Sequence, residues 1–223
     1  MTPSLSARPQ SIDPAFYAAL DADDRCAHLA EFISHGGYAA SGTNQQIINL
    51  KKPPTATSAE LHYKSKAVDY WARELAASLN LDAIAQHYTV VPAACSKLRS
   101  DSAHDDRILR VLKRLNQLSG GKLDVRPLLY THTPRPAQHE GTRLSVQEIY
   151  DSLAIDDAYL SPPVRPNIVL VDDVFTQGHT FKASQRKLIA LPNVSKVFGM
   201  FLAKAVRPAI NWDDDFMNDL ANL

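Results

Sequence analysis

"NIVLVDDVFTQGHT", residues Asn167 to Thr180, joins two segments of opposite character. Ile168 to Val171 is an unbroken run of β-branched residues and leucine, the composition of a strand buried on both faces of a sheet. Asp172 and Asp173 follow at once, and then a short polar stretch holding Thr176, Gln177, Gly178, His179 and Thr180. In open α/β sheets, ligands bind beyond the carboxyl ends of the strands. Two adjacent carboxylates carried out of the core on a strand end therefore mark a candidate binding site.

The flanking chain alternates between strand and helix patterns. Thr57 and Glu60 have capping-box spacing, and Leu61, Val68, Trp71, Leu75 and Leu79 recur behind them at helical intervals, predicting a helix over 58–79. "HYTVVPA" predicts a strand ending at Pro92. Ile108 to Leu118 predicts an amphipathic helix stopped by Gly120 and Gly121. "LDVRPLLYT" is a strand with Pro127 at an edge or bulge. Ser145 and Glu148 open a further helix, Thr180 to Ile189 forms another, and "SKVFGMFLA" is the last strand. Nearer the start, the expectations are a short helix within Pro14–Phe32 and a loop or hairpin ending in a strand over Gln45–Leu50. Together these predict one α/β domain over 1–223, a mainly parallel central sheet flanked by helices, with 1–55 as an N-terminal extension packed on it.

Composition narrows the function classes. The chain has 223 residues, 45% hydrophobic and 22% charged, with 24 basic against 24 acidic side chains. A net charge of zero supplies no global field for nucleic acid or an anionic membrane. No apolar run approaches the roughly 20 residues of a membrane-spanning helix, and "MTPSLSARPQ" lacks the apolar core of a signal peptide. Cys26 and Cys95 are too few for a disulfide framework or a cysteine zinc site. The expected location is cytoplasmic, and a homo-oligomer is compatible with all of this.

A strand ending in two aspartates has several precedents. The simplest is a solvated pair that caps the following helix. A phosphoacceptor receiver domain needs about a domain's length of chain downstream, and about fifty residues remain here. A Walker B strand needs a G-x-x-x-x-G-K-[ST] partner, which Gly120 to Lys122 does not supply.

A further pattern fits. "IVLVDDVFTQGHT" resembles the PRPP-binding signature of the type I phosphoribosyltransferases: four apolar residues, two acidic, two apolar, then a small polar loop with glycine, closing on threonine. Phe175 and Gln177 depart from the usual residues. The resemblance implies that Asp172 and Asp173 accept hydrogen bonds from the ribose hydroxyls and face the positive charge that develops on the sugar. It implies that Thr176, Gln177, Gly178, His179 and Thr180 cradle the 5'-phosphate at a helix N-terminus. It places the pyrophosphate on the loop after an earlier strand, here Ser96, Lys97 and Arg99, with Mg²⁺ carried in on PRPP. Arg135, His139 and Arg143 occupy the position of a loop that closes over the substrate.

In "DDR", Asp105 and Asp106 suit a helix's first turn, and Arg107 is within reach of the pyrophosphate loop. Purine-salvage members of the family have an acid where Thr176 stands, so the pattern leans toward the orotate-like type. The implied activity is transfer of ribose 5-phosphate from PRPP to an unidentified base or amine. The alternative is a non-catalytic PRPP- or nucleotide-binding regulatory or partner module. Trp212 and Asp213 to Asp215 are expected to be a core cover and a solvated face.

Overall fold

A computed structural model describes residues 8–135 and 144–208. Its strands are β1 (Gln10–Ile12), β2 (Cys26–Ile33), β3 (Tyr88–Pro92), β4 (Asp124–Val125), β5 (Leu129–Thr131), β6 (Leu153–Ile155), β7 (Asn167–Phe175) and β8 (Lys196–Val206). The α-helices are α1 (Gly42–Leu50), α2 (Ser58–Ser78), α3 (Leu81–His87), α4 (Arg107–Leu118), α5 (Val146–Ser152) and α6 (His179–Ile189). The architecture is α/β, with a mixed six-stranded central sheet flanked by helices. Strand order is β1-β2-β8-β7-β3-β4, and β5 and β6 form a separate antiparallel pair. Among the described residues, only the β1–β2 pairing of the central sheet is antiparallel.

β7 is interior, hydrogen-bonded in parallel to β3 on one side and β8 on the other. Its apolar run is buried on both faces because helices cover both. On one face α1, α2 and α4 close a core around Ile47, Trp71, Leu75, Val111, Leu112 and Leu202. On the other, Phe181 and Leu188 of α6 pack with Ile168, Leu170, Phe175 and Phe201. Each such side chain contributes about 1.5–3 kcal/mol by leaving water. α2 and α5 both begin with the capping boxes read from sequence.

Two N-terminal expectations are corrected. Helix in the Pro14–Phe32 region is confined to a single 3-10 turn at Pro14–Phe16, its end is taken by β2, and residues 10–33 supply two strands of the central sheet instead of an appendage. Gln45–Leu50 is helical, not extended. Ser41 caps α1 by accepting from Asn44 N–H at 3.0 Å, and Ile47 and Leu50 lie three apart on its buried face. "LDVRPLLYT" splits at Pro127, which has no N–H to continue a ladder, into β4 of the central sheet and β5 of the small one. No helix among the described residues is long and apolar enough to cross a membrane.

The connections set up the site. From β3 the chain passes through α4 to β4, on one side; from β7 it passes through α6 to β8, on the other. The two helices lie on opposite faces of the sheet. β3 and β7 therefore flank a topological switch point, where a crevice opens at the carboxyl ends of the strands.

Candidate functional site

A cleft of about 600 Å³ opens there, lined by Lys51, the loop after β3, Arg107, Tyr130, Arg135, Tyr159, Asp172, Asp173 and Thr180, among others. Pairing with β3 ends where Pro92 meets Val171, with Ala93 N–H donating once more to Val171 O at 2.8 Å. β7 continues to Phe175 supported by β8. The two aspartates thus lie inside the strand, on the stretch β3 leaves uncovered.

Successive side chains on a strand point to opposite faces, and this separates the pair. Asp173 is buried toward α1 and α4. Its Oδ2 accepts from Arg107 Nε at 2.7 Å and lies 2.6 Å from Arg107 Nη2, and its Oδ1 is 3.4 Å from Lys51 Nζ. Burial alone would raise the Asp173 pKa, but Lys51 and Arg107 outweigh it and hold the carboxyl below the ordinary carboxylate range. Arg107 Nη1 also donates to Asp105 Oδ2 at 3.0 Å, and Asp105 Oδ1 accepts from the buried Lys64 Nζ at 2.6 Å. Lys51, Asp173, Arg107, Asp105 and Lys64 form a chain of alternating charge beneath the cleft.

Asp172 is different. Its Oδ1 accepts from Asp173 N–H at 2.8 Å, and among the described residues no cation forms an ion pair with it. Burial, and then the Asp173 charge beside it, push its carboxyl up to about 7. Arg135 is the nearby cation on this side. It donates to the hydroxyls of Ser152 (2.9 Å) and Thr131 (3.3 Å), and burial lowers its pKa against the pull of Asp172.

The loop after β3 is held by Cys95, whose Sγ accepts from Lys97 N–H and Asp105 N–H and whose carbonyl accepts from Thr131 Oγ1 at 2.7 Å. Ser96 and Arg99 line the cleft. Arg99 pairs with Asp156 at 2.7 Å and lies over the Tyr130 ring at 4.4 Å. Lys97 departs from its expected place: it is exposed and is not among the lining residues.

At the end of β7, Gly178 takes a left-handed conformation (φ 85°) and opens α6. A Cβ at Gly178 would lie 2.9 Å from Leu20 Cδ2, so a larger residue here would have to displace Leu20 and adopt a strained left-handed backbone. No side chain caps α6, leaving the first N–H groups of an 11-residue helix to donate to an outside partner. Thr180 lines the cleft, His179 is half-buried, and Thr176 and Gln177 are exposed. Behind this turn, Tyr17 packs edge-on against Phe175 at 4.8 Å, and Lys182 of α6 binds Asp24 at 2.8 Å and Asp21 at 2.5 Å. Asp21, Asp23 and Asp24 bring carboxylate oxygens within 4.8 Å of one another, but Lys182 already engages two of them.

His139, Arg143, Trp212 and Asp213 to Asp215 lie outside the described residues. Sequence inspection missed Lys51 as a site residue, because α1 was expected to be a strand. It noted Arg107 but not the carboxylate it binds, and nothing in the sequence flags Lys64 or Tyr159. No protein-family model matches the chain, and no curated protein matches it.

Proposed function

We propose that the cleft binds PRPP and that the protein, with a type I phosphoribosyltransferase-like fold, transfers ribose 5-phosphate to a nitrogenous acceptor with release of pyrophosphate. The observation that carries the proposal is one juxtaposition. Asp172, free of any ion pair among the described residues, stands on the uncovered stretch of β7, and the uncapped N-terminus of α6 follows within a few residues. One ribose 5-phosphate needs both features side by side.

The chemistry follows from the groups. The N–H groups of the Thr176–Thr180 turn and the α6 dipole suit the 5'-phosphate, with Thr180 adding a hydroxyl. Asp172 suits the ribose diol, since hydrogen bonds to the ionised form draw off its proton and charged acceptors bond more strongly than neutral ones. Once ionised, it also opposes the positive charge that grows on the sugar as the C1–O bond breaks. Ser96, Arg99 and Arg135 supply donors for the diphosphate, and Tyr130 and Tyr159 offer aromatic surface to a planar acceptor. Mg²⁺ fits as an ion held mainly by substrate and water oxygens, where it neutralises diphosphate charge; Asp173 is already engaged by Arg107.

That engagement favours a second reading. It removes one of the two carboxylates expected to face the ribose, which suits a module that binds PRPP or a nucleotide without turnover. Calorimetric titration with PRPP and Mg²⁺, followed by a pyrophosphate-release assay over a panel of bases and amines, separates the cases. Binding with release supports the transferase. Binding without release supports the module, and no binding refutes both.

A further inference from the structure

We propose that Arg107 and Lys51 form a diphosphate subsite on the cleft floor, and that Asp105, Asp173 and Lys64 are positioning residues for Arg107. Only the choice of diphosphate as the anion rests on the PRPP proposal. Lys51 and Arg107 come from different elements and converge on one carboxylate, 3.4 and 2.6 Å from Asp173. Neither is consumed there. A guanidinium has five N–H donors, and Asp173 and Asp105 take three of those on Arg107. Lys51 keeps a side chain 40% exposed. Both residues line the cleft.

The fork of Arg107 is fixed at both ends. Asp173 holds the Nε and Nη2 edge, Asp105 holds Nη1, and Lys64 neutralises Asp105 from within the core. A guanidinium locked by two carboxylates presents its free N–H groups without the rotamer loss that ordinarily accompanies anion binding. The chain carries three cations against two carboxylates, a surplus of one positive charge. On the cleft wall Arg99 and Arg135 stand against Asp172 and Asp106, so the surplus remains. The cleft therefore suits an anion.

The test is calorimetric titration of the full chain with diphosphate, with and without Mg²⁺, in parallel with PRPP. Lys51→Met and Arg107→Lys should each weaken magnesium diphosphate binding at least about tenfold, the equivalent of one charge-assisted hydrogen bond. Lys122→Met, at an exposed pair with Asp82, should bind as the parent does. Asp105→Asn should weaken binding in the parent but add little once Arg107 is Lys, as expected if it acts through that residue. Lys51→Met alters an exposed side chain, so the outcome does not hinge on folding of the buried variants. Parent-like diphosphate affinity in both Lys51→Met and Arg107→Lys would overturn the assignment, as would failure of the parent to bind magnesium diphosphate. If diphosphate binds and is lost in the variants while PRPP does not bind, the subsite stands and the PRPP proposal fails.

Discussion

Asp172→Asn should make the protein more stable while impairing its site. The carboxyl rises from 3.8 to about 7 on folding, a span of about 3 units at about 1.4 kcal/mol each. Folding with Asp172 ionised therefore costs on the order of 2–4 kcal/mol. The sign follows from the raised value. The neutral form favours folding, so this group's contribution is fully present below the unfolded pKa and is lost as pH rises through about 7. Asparagine cannot ionise and escapes the loss.

The gain over the parent should be negligible near pH 3, grow between about pH 4 and 7, and level off above. Thermal melts of both proteins at pH 5 and pH 8 check this, with a rise in Tm of several degrees at pH 8 and less than half of it at pH 5. PRPP titration on the same samples should show weaker binding in the variant. An equal gain at both pH values, or a lower Tm for the variant at pH 8, would refute the electrostatic account of Asp172.

Three other outcomes are expected. Asp105→Asn or Lys64→Met breaks a buried 2.6 Å pair and should lower unfolding free energy by about 3–5 kcal/mol in denaturant titrations. Gly178→Ala forces a Cβ into a left-handed residue against Leu20; it should cost at least about 1–2 kcal/mol and weaken orthophosphate binding. Cys26, buried and with its thiol pushed up to about 12 by burial and then by Asp24, should resist iodoacetamide until unfolding, while the half-buried Cys95 is alkylated first, as followed by mass spectrometry.

What could be read from sequence was what local patterns encode. Capping boxes at Thr57 and Ser145, the helical spacing behind Thr57, and the apolar run before Asp172 each depend on neighbours within a few residues, and each appears in the structure. β2 escaped because it is an interior strand, covered on both faces, with His28 buried and its Nδ1 2.9 Å from Ala30 O. No two-residue alternation survives in such a strand. α1 escaped because "QQIINL" has the composition of a strand, while the contacts that stabilise the helix end are distant: Asn44 accepts from Ile33 N–H and donates to Ile33 O. At the site, the Asp pair was legible. Its division was not, since it depends on Arg107 and Lys51 arriving from separate elements.

The pairing of β2 with β8 bears on how the chain comes off the ribosome. Cys26 lies opposite Gly199 and Ile33 opposite Val206, so β2 precedes every described strand of the central sheet but β1 and is completed only when β8 has been made. Until then β1 covers one of its edges and the other stays open, a template for pairing with another chain. Leu20 and Asp24 wait almost as long for Gly178 and Lys182. The turn at Gly178 therefore takes its final form late in synthesis, and such non-local closure makes folding slow and exposes the nascent chain to aggregation. Expression at low temperature or with added chaperone should raise the soluble yield more than any single stabilising substitution on the surface.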